Sequence, residues 1–82
     1  MHEIGIAASI LDAVRSELAQ RPGSRARIVG LRIGELAGVD PESLRFGFDA
    51  LVQDSELAPL QMDVEWAAGD ELDLVYIDLE EP

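Results

Sequence analysis

Apolar residues at Ala7, Ile10, Leu11, Val14 and Leu18 recur at helical spacing, with Asp12, Arg15, Ser16 and Glu17 between them. The pattern predicts an amphipathic helix. It should stop near Gln20, because Arg21 precedes Pro22 and the "RPGSR" segment disfavours helix continuation. In "RIVGLRIGEL" the period changes to two: Val29, Leu31 and Ile33 share one face of a strand, and Gly30, Arg32 and Gly34 share the other. One face is built for packing and the other is lean.

"DPESLRFGFDAL" reads as a helix start. Asp40 can cap the exposed backbone N–H groups, Pro41 suits the first helical position, and Glu42 suits the positive end of the helix dipole. Leu44, Phe48 and Leu51 then form one stripe, flanked by Phe46 and Val52, and "DSELAP" ends the helix. "LQMDVEW" alternates fully, with Leu60, Met62, Val64 and Trp66 opposite Gln61, Asp63 and Glu65. A turn at "AAGD" leads to a last strand, "ELDLVYIDLEE", and two strands joined by four residues including a glycine read as an antiparallel hairpin. The alternation slips between Leu74 and Val75, which fits either a central strand covered on both faces or a bulge. The order α-β-α-β-β describes an α/β (α+β) domain, with two helices packed on one face of a three-stranded sheet, mixed or antiparallel.

Length and charge narrow the functional classes. At 82 residues there is room for one domain with a thin core. Apolar residues at 48% and charged residues at 28% are ordinary globular values, not those of a disordered chain. No apolar run reaches the ~20 residues of a membrane span, and the start lacks a basic leader, so a cytoplasmic protein is expected. The net charge of −11 lies in one half. Residues 1–45 balance six carboxylates against six arginines, whereas everything after Arg45 holds eleven carboxylates and no base. That half repels nucleic acid and anionic membranes, which are bound through Lys and Arg. It suits solubility, a basic partner or a cation.

The single histidine stands at position 2, where chain ends usually fray. The amine of Met1, the backbone nitrogen of His2 and the His2 imidazole can close fused chelate rings around one ion. That planar, nitrogen-rich set favours Ni(II) or Cu(II) over tetrahedral zinc. A backbone nitrogen binds only after losing its proton, so affinity should rise with pH. The competing reading is a bystander histidine at an untethered end. Glu35 and Asp40 bracket the loop "GELAGVD", where a strand-end loop can present side chains to a ligand, but a helix cap already accounts for Asp40 and a solvated strand end for Glu35. Enzyme chemistry has little support: there is no cysteine, no glycine-rich phosphate loop, no partner set for the lone histidine and no calcium-loop signature.

"MHEIGIAASIL" followed by "VGLRIGELAGVDPESLRFGFDAL" resembles the HypA/HybF family, the nickel metallochaperones of nickel–iron hydrogenase and, in some bacteria, urease maturation. "MHE", "RIGELAGV", "PESLRFGFD" and the closing "DELDLVYIDLEE" match in order and spacing, essentially end to end. The resemblance implies a non-enzymatic carrier of Ni(II) as cargo. It implies binding through His2, with the backbone nitrogens of His2 and Glu3 and a contribution from the Glu3 and Asp40 side chains. Implied partners are a hydrogenase-maturation GTPase and the hydrogenase large subunit. The family inserts a zinc domain with two pairs of cysteines between its second and third strands. Here that place holds only "AAGD". The expectation is therefore one nickel-binding domain over residues 1–82, with the zinc domain absent at the hairpin 67–70 and no zinc bound. The alternative is an acidic protein–protein interaction module that binds metal incidentally.

Overall fold

The computed structural model describes residues 2–82; Met1, expected to supply its amine to a metal, lies outside the described residues. Helix α1 runs Glu3–Ala19, strand β1 Arg25–Gly34, helix α2 Pro41–Gln53, strand β2 Gln61–Ala67 and strand β3 Leu72–Glu80. The expected element order is borne out, and so is the mixed sheet. Helix α1 begins earlier than its apolar period, with Glu3 as its first residue and His2 at the N-cap position.

The expected hairpin is corrected. The sheet order is β2-β1-β3, so β2 and β3 lie on opposite sides of β1 and do not pair. Strand β1 pairs parallel with β2, in the register Val29 with Met62 and Ile33 with Trp66. Its pairing with β3 is antiparallel. The parallel pair requires a crossover, which α2 provides. The link 68–71 then arches over the end of β1, stepping two strand spacings, about 10 Å, within reach of four residues. Gly34 lies beneath it, where a β-carbon would run into the carbonyl of Gly69. A short glycine-containing link serves a hairpin and an arch equally well, so local turn chemistry did not separate them.

The core lies between the sheet and the two helices. It joins Ala7, Leu11 and Val14 of α1, Leu44, Phe48 and Val52 of α2, and Val29, Leu31 and Ile33 of β1. Helix α2 buries the row Leu44, Phe48 and Val52, spaced by four, whereas Leu51 is 37% exposed and Phe46 77% exposed. That rotation turns Gly47 toward α1, where Ile4 packs on it. Of the two readings of β3, the bulge holds: pairing jumps from Gly30 with Tyr76 to Leu31 with Leu74, leaving Val75 without a partner on an edge strand. On the lean face the Tyr76 ring covers Gly30, and its hydroxyl donates to Asp63 at 2.9 Å. Tyr76 thereby spans from one edge strand to the other across β1.

Candidate metal centre

Two helix N-termini meet where the terminal residues were expected to matter. Asp40 caps α2: its Oδ1 accepts from the backbone N–H groups of Glu42 at 3.1 Å and Ser43 at 3.4 Å, and its Oδ2 from the Ser43 hydroxyl at 3.1 Å. Pro41 follows in the first turn. These bonds satisfy N–H groups that have no partner inside a helix. The backbone N–H of Asp40 itself donates to the Glu3 carboxylate at 3.0 Å, joining residues 37 positions apart. Glu3 opens α1 as Asp40 opens α2, so each helix start carries a carboxylate suited to its positive end. The Asp40 N–H, then Glu3's own N–H, hold the Glu3 carboxyl below the usual glutamate range, against the opposing charge of Asp40.

Close packing of the helices explains the meeting. At Gly47 a β-carbon would lie 3.2 Å from Cδ1 of Ile4, so the absence of a side chain there lets the first turn of α1 sit against α2. Sequence reasoning passed over Gly47. Its signal was a glycine inside an otherwise helical pattern, which is costly in helix propensity and calls for a packing reason.

His2 is exposed, and its carbonyl accepts the first bond of α1, from the Ile6 N–H at 3.2 Å. Its side chain makes no cap bond. Instead it lines an open cavity with Gly5, Ile6, Leu31, Leu72 and Leu74, between α1 and β3. The structure therefore brings Glu3 and Asp40 together and leaves the His2 ring apart from them. Among the described residues no three His, Asp or Glu side chains are grouped closely enough to hold one ion. Glu35 lies exposed in the turn after β1, its backbone N–H donated to the Ala67 carbonyl at 2.8 Å.

Chemically, a helix leaves its first backbone nitrogens without internal partners. The nitrogens of His2 and Glu3 are in that position, ahead of the first intrahelical bond. A metal that displaces their protons breaks no helical hydrogen bond. The same nitrogens and the His2 imidazole are donors of the kind that can close a local chelate without a side chain from elsewhere in the fold.

Comparison with known proteins gives this geometry a family. The family model described as "Hydrogenase/urease nickel incorporation, metallochaperone, hypA" matches residues 1–75. A hydrogenase maturation factor HypA of Pelodictyon phaeoclathratiforme is 42% identical over 69 residues, covering 84% of this chain and 59% of its own length. Its counterpart in Chlorobium limicola is 43% identical over 69 residues, 84% of this chain and 60% of its own length. That of Desulfatibacillum aliphaticivorans is 36% identical over 66 residues, 79% and 51% respectively. The chain thus spans a little over half the length of these curated relatives. No solved structure matches it. With the family model covering nearly all of its residues and the resemblance of its motifs upheld, the chain belongs to the HypA family.

Proposed function

We propose that this chain is a non-enzymatic nickel carrier that binds Ni(II) at its amino-terminal segment and passes it on during maturation of a nickel–iron hydrogenase or a urease. The ion is held by the His2 imidazole and the backbone nitrogens of His2 and Glu3, with the amine of Met1. The carboxylates of Glu3 and Asp40 lie beside it. The observation that carries this reading is the Glu3 to Asp40 hydrogen bond, which docks the terminus of a nickel-incorporation family member onto the start of α2.

An exchangeable site suits delivery. The His2 side chain is exposed, and Glu3 and Asp40 are hydrogen-bonded to the protein's own backbone. In this reading the fold rests on its own hydrogen bonds and core, and the ion exchanges at an exposed end, in contrast to closed structural metal sites. The receiving partners in this reading are a maturation GTPase and the hydrogenase large subunit. The reading includes no resident zinc, the chain having no cysteine for a structural thiolate site. No helix among the described residues is long and apolar enough to cross a membrane.

The test is calorimetric titration of the untagged chain with Ni(II), beside the same chain acetylated at its amine. One ion bound by the first and none by the second is expected. Equal binding by both would remove the terminus from the site.

A further inference from the structure

The turn behind β1 is tied to the arch above it by its backbone. The Gly34 N–H donates to the Glu71 carbonyl at 2.7 Å, the Glu35 N–H to Ala67 at 2.8 Å, and the Leu36 N–H to Gly69 at 2.9 Å. The Ala37 N–H folds back on the Gly34 carbonyl at 3.0 Å. Two residues beyond Gly38, which takes a positive φ of 76°, comes Asp40, whose N–H is held by Glu3. Segment 34–40 is therefore fastened to the arch at one end and to α1 at the other. Its side chains add little to that fastening: Leu36 is 76% exposed, and only Ala37 and Val39 pack partly against the core.

The arch can hold the turn this closely because Gly34 has no side chain. A β-carbon there would meet the Gly69 carbonyl and then the Asp70 nitrogen, both main-chain atoms that cannot swing aside as a flexible side chain would. Two glycine backbones in contact make the joint between the sheet end and the turn stiff.

We propose that the arch 68–71 is a positioning element for the metal-binding terminus: through Gly34 and the turn 35–37 it sets where the Asp40 N–H lies, and thereby where Glu3 docks the first turn of α1. Its consequence for nickel rests on the function proposed above; its consequence for geometry does not. Gly34 and Gly69 are positioning residues that touch no ion. The rival account is that packing of Leu44 and Phe48 alone fixes the start of α2, with the arch serving only to join two strands.

Two variants separate these accounts. Gly34→Ala forces the arch away from the turn. Insertion of two glycines after Ala68 slackens it while sparing every helix and strand, since lengthening a surface link costs little. Amide hydrogen exchange is read at Leu36, at Asp40 and at Phe48, the last reporting global unfolding. In both variants exchange at Leu36 and Asp40 should quicken by about tenfold relative to Phe48, the scale of one lost hydrogen bond. Nickel affinity should fall with it. An Asp40 amide that exchanges as in the parent while Leu36 loosens overturns the proposal. Should Gly34→Ala fail to fold, the insertion variant decides alone. If the parent binds no nickel, the nickel reading fails and the exchange result still stands or falls by itself.

Discussion

Replacing Asp40 separates its capping role from any role at a metal. The carboxylate accepts two backbone N–H groups through one oxygen and the Ser43 hydroxyl through the other. Asp40→Asn keeps an amide oxygen in the place of Oδ1, and the Ser43 hydroxyl can turn to accept from the new NH2 group. Asn and Asp are near-equal caps, so the hydrogen-bonding loss is close to nil. The lost charge near the helix dipole costs about 0.3–1 kcal/mol, from which relief of repulsion with the Glu3 carboxylate subtracts. Asp40→Ala removes the acceptor altogether, for about 1 kcal/mol. In a domain of this size that lowers the melting temperature by roughly 4–8 °C, whereas Asn, which keeps the cap and loses only the dipole contribution less the relieved repulsion, should lower it by less than Ala does. If the carboxylate also serves the ion, nickel affinity should fall by about tenfold or more in both variants, the scale seen for groups supporting a metal site. Thermal unfolding and calorimetric titration on untagged protein read the two effects in parallel. Unchanged affinity in the Asn variant would return Asp40 to capping alone. An Asn variant as unstable as the Ala variant would refute the cap itself.

His2→Ala should abolish one-to-one nickel binding in calorimetry and leave the circular dichroism spectrum intact, because the ring is exposed and caps nothing. Glu3→Gln should remove a pH-dependent part of stability. A carboxyl held below its usual range stabilises the fold above about pH 4.3 and loses that contribution as pH falls through its lowered value, so melting curves of parent and variant should converge in acid. Phe48→Ala, at the centre of the core with no exposed surface, should cost about 3–5 kcal/mol by denaturant titration. Elemental analysis should find no stoichiometric zinc, and a chelator should leave the melting temperature unmoved; one tightly held zinc per chain would contradict the reading. Nickel affinity measured from pH 6.5 to 8.5 should rise steadily, since ligand nitrogens must shed protons, and a flat profile would point to carboxylate ligation instead.

Much of the fold was legible because it is written in local periods and caps. The helical spacing of Ala7 to Val14 and the Asp40-Pro41-Glu42 start each imply one element with one buried side. Pairing was not legible. Strand β2 alternates as an edge strand would, but nothing local says whether it lies beside β1 or β3, and the link at residues 68–71 suits both. The helix face of α2 was misjudged by one position, because Leu51 and Val52 are equally apolar and the choice is made by the contact of Gly47 with Ile4. At the site, Asp40's capping followed from its neighbours in sequence, but its bond to Glu3 did not. Residues so far apart meet only through helix packing, and the resemblance of "MHE" and "GVDPESL" to one family was the sole advance sign.

The electrostatics of the site bear on how an ion could be held there. Both helices point their N-terminal ends at the same place, and each end acts as roughly half a positive charge, which repels a cation. Glu3 and Asp40 offset those ends, Glu3 with one oxygen on the Asp40 N–H and Asp40 with both oxygens on the first turn of α2. To ligate strongly Asp40 would have to loosen its cap on α2, and Glu3 to weaken the bond that holds α1 to α2. Nitrogen ligation spares that bond: removing the protons of the His2 and Glu3 backbone nitrogens gives up only the contact of the Glu3 N–H with its own carboxylate, turns part of the positive helix end into anionic ligands and leaves the Glu3 to Asp40 bond in place. On this argument the two carboxylates serve the site chiefly by docking and neutralising the terminus, and the binding free energy comes from a chelate that the first residues of the chain make by themselves.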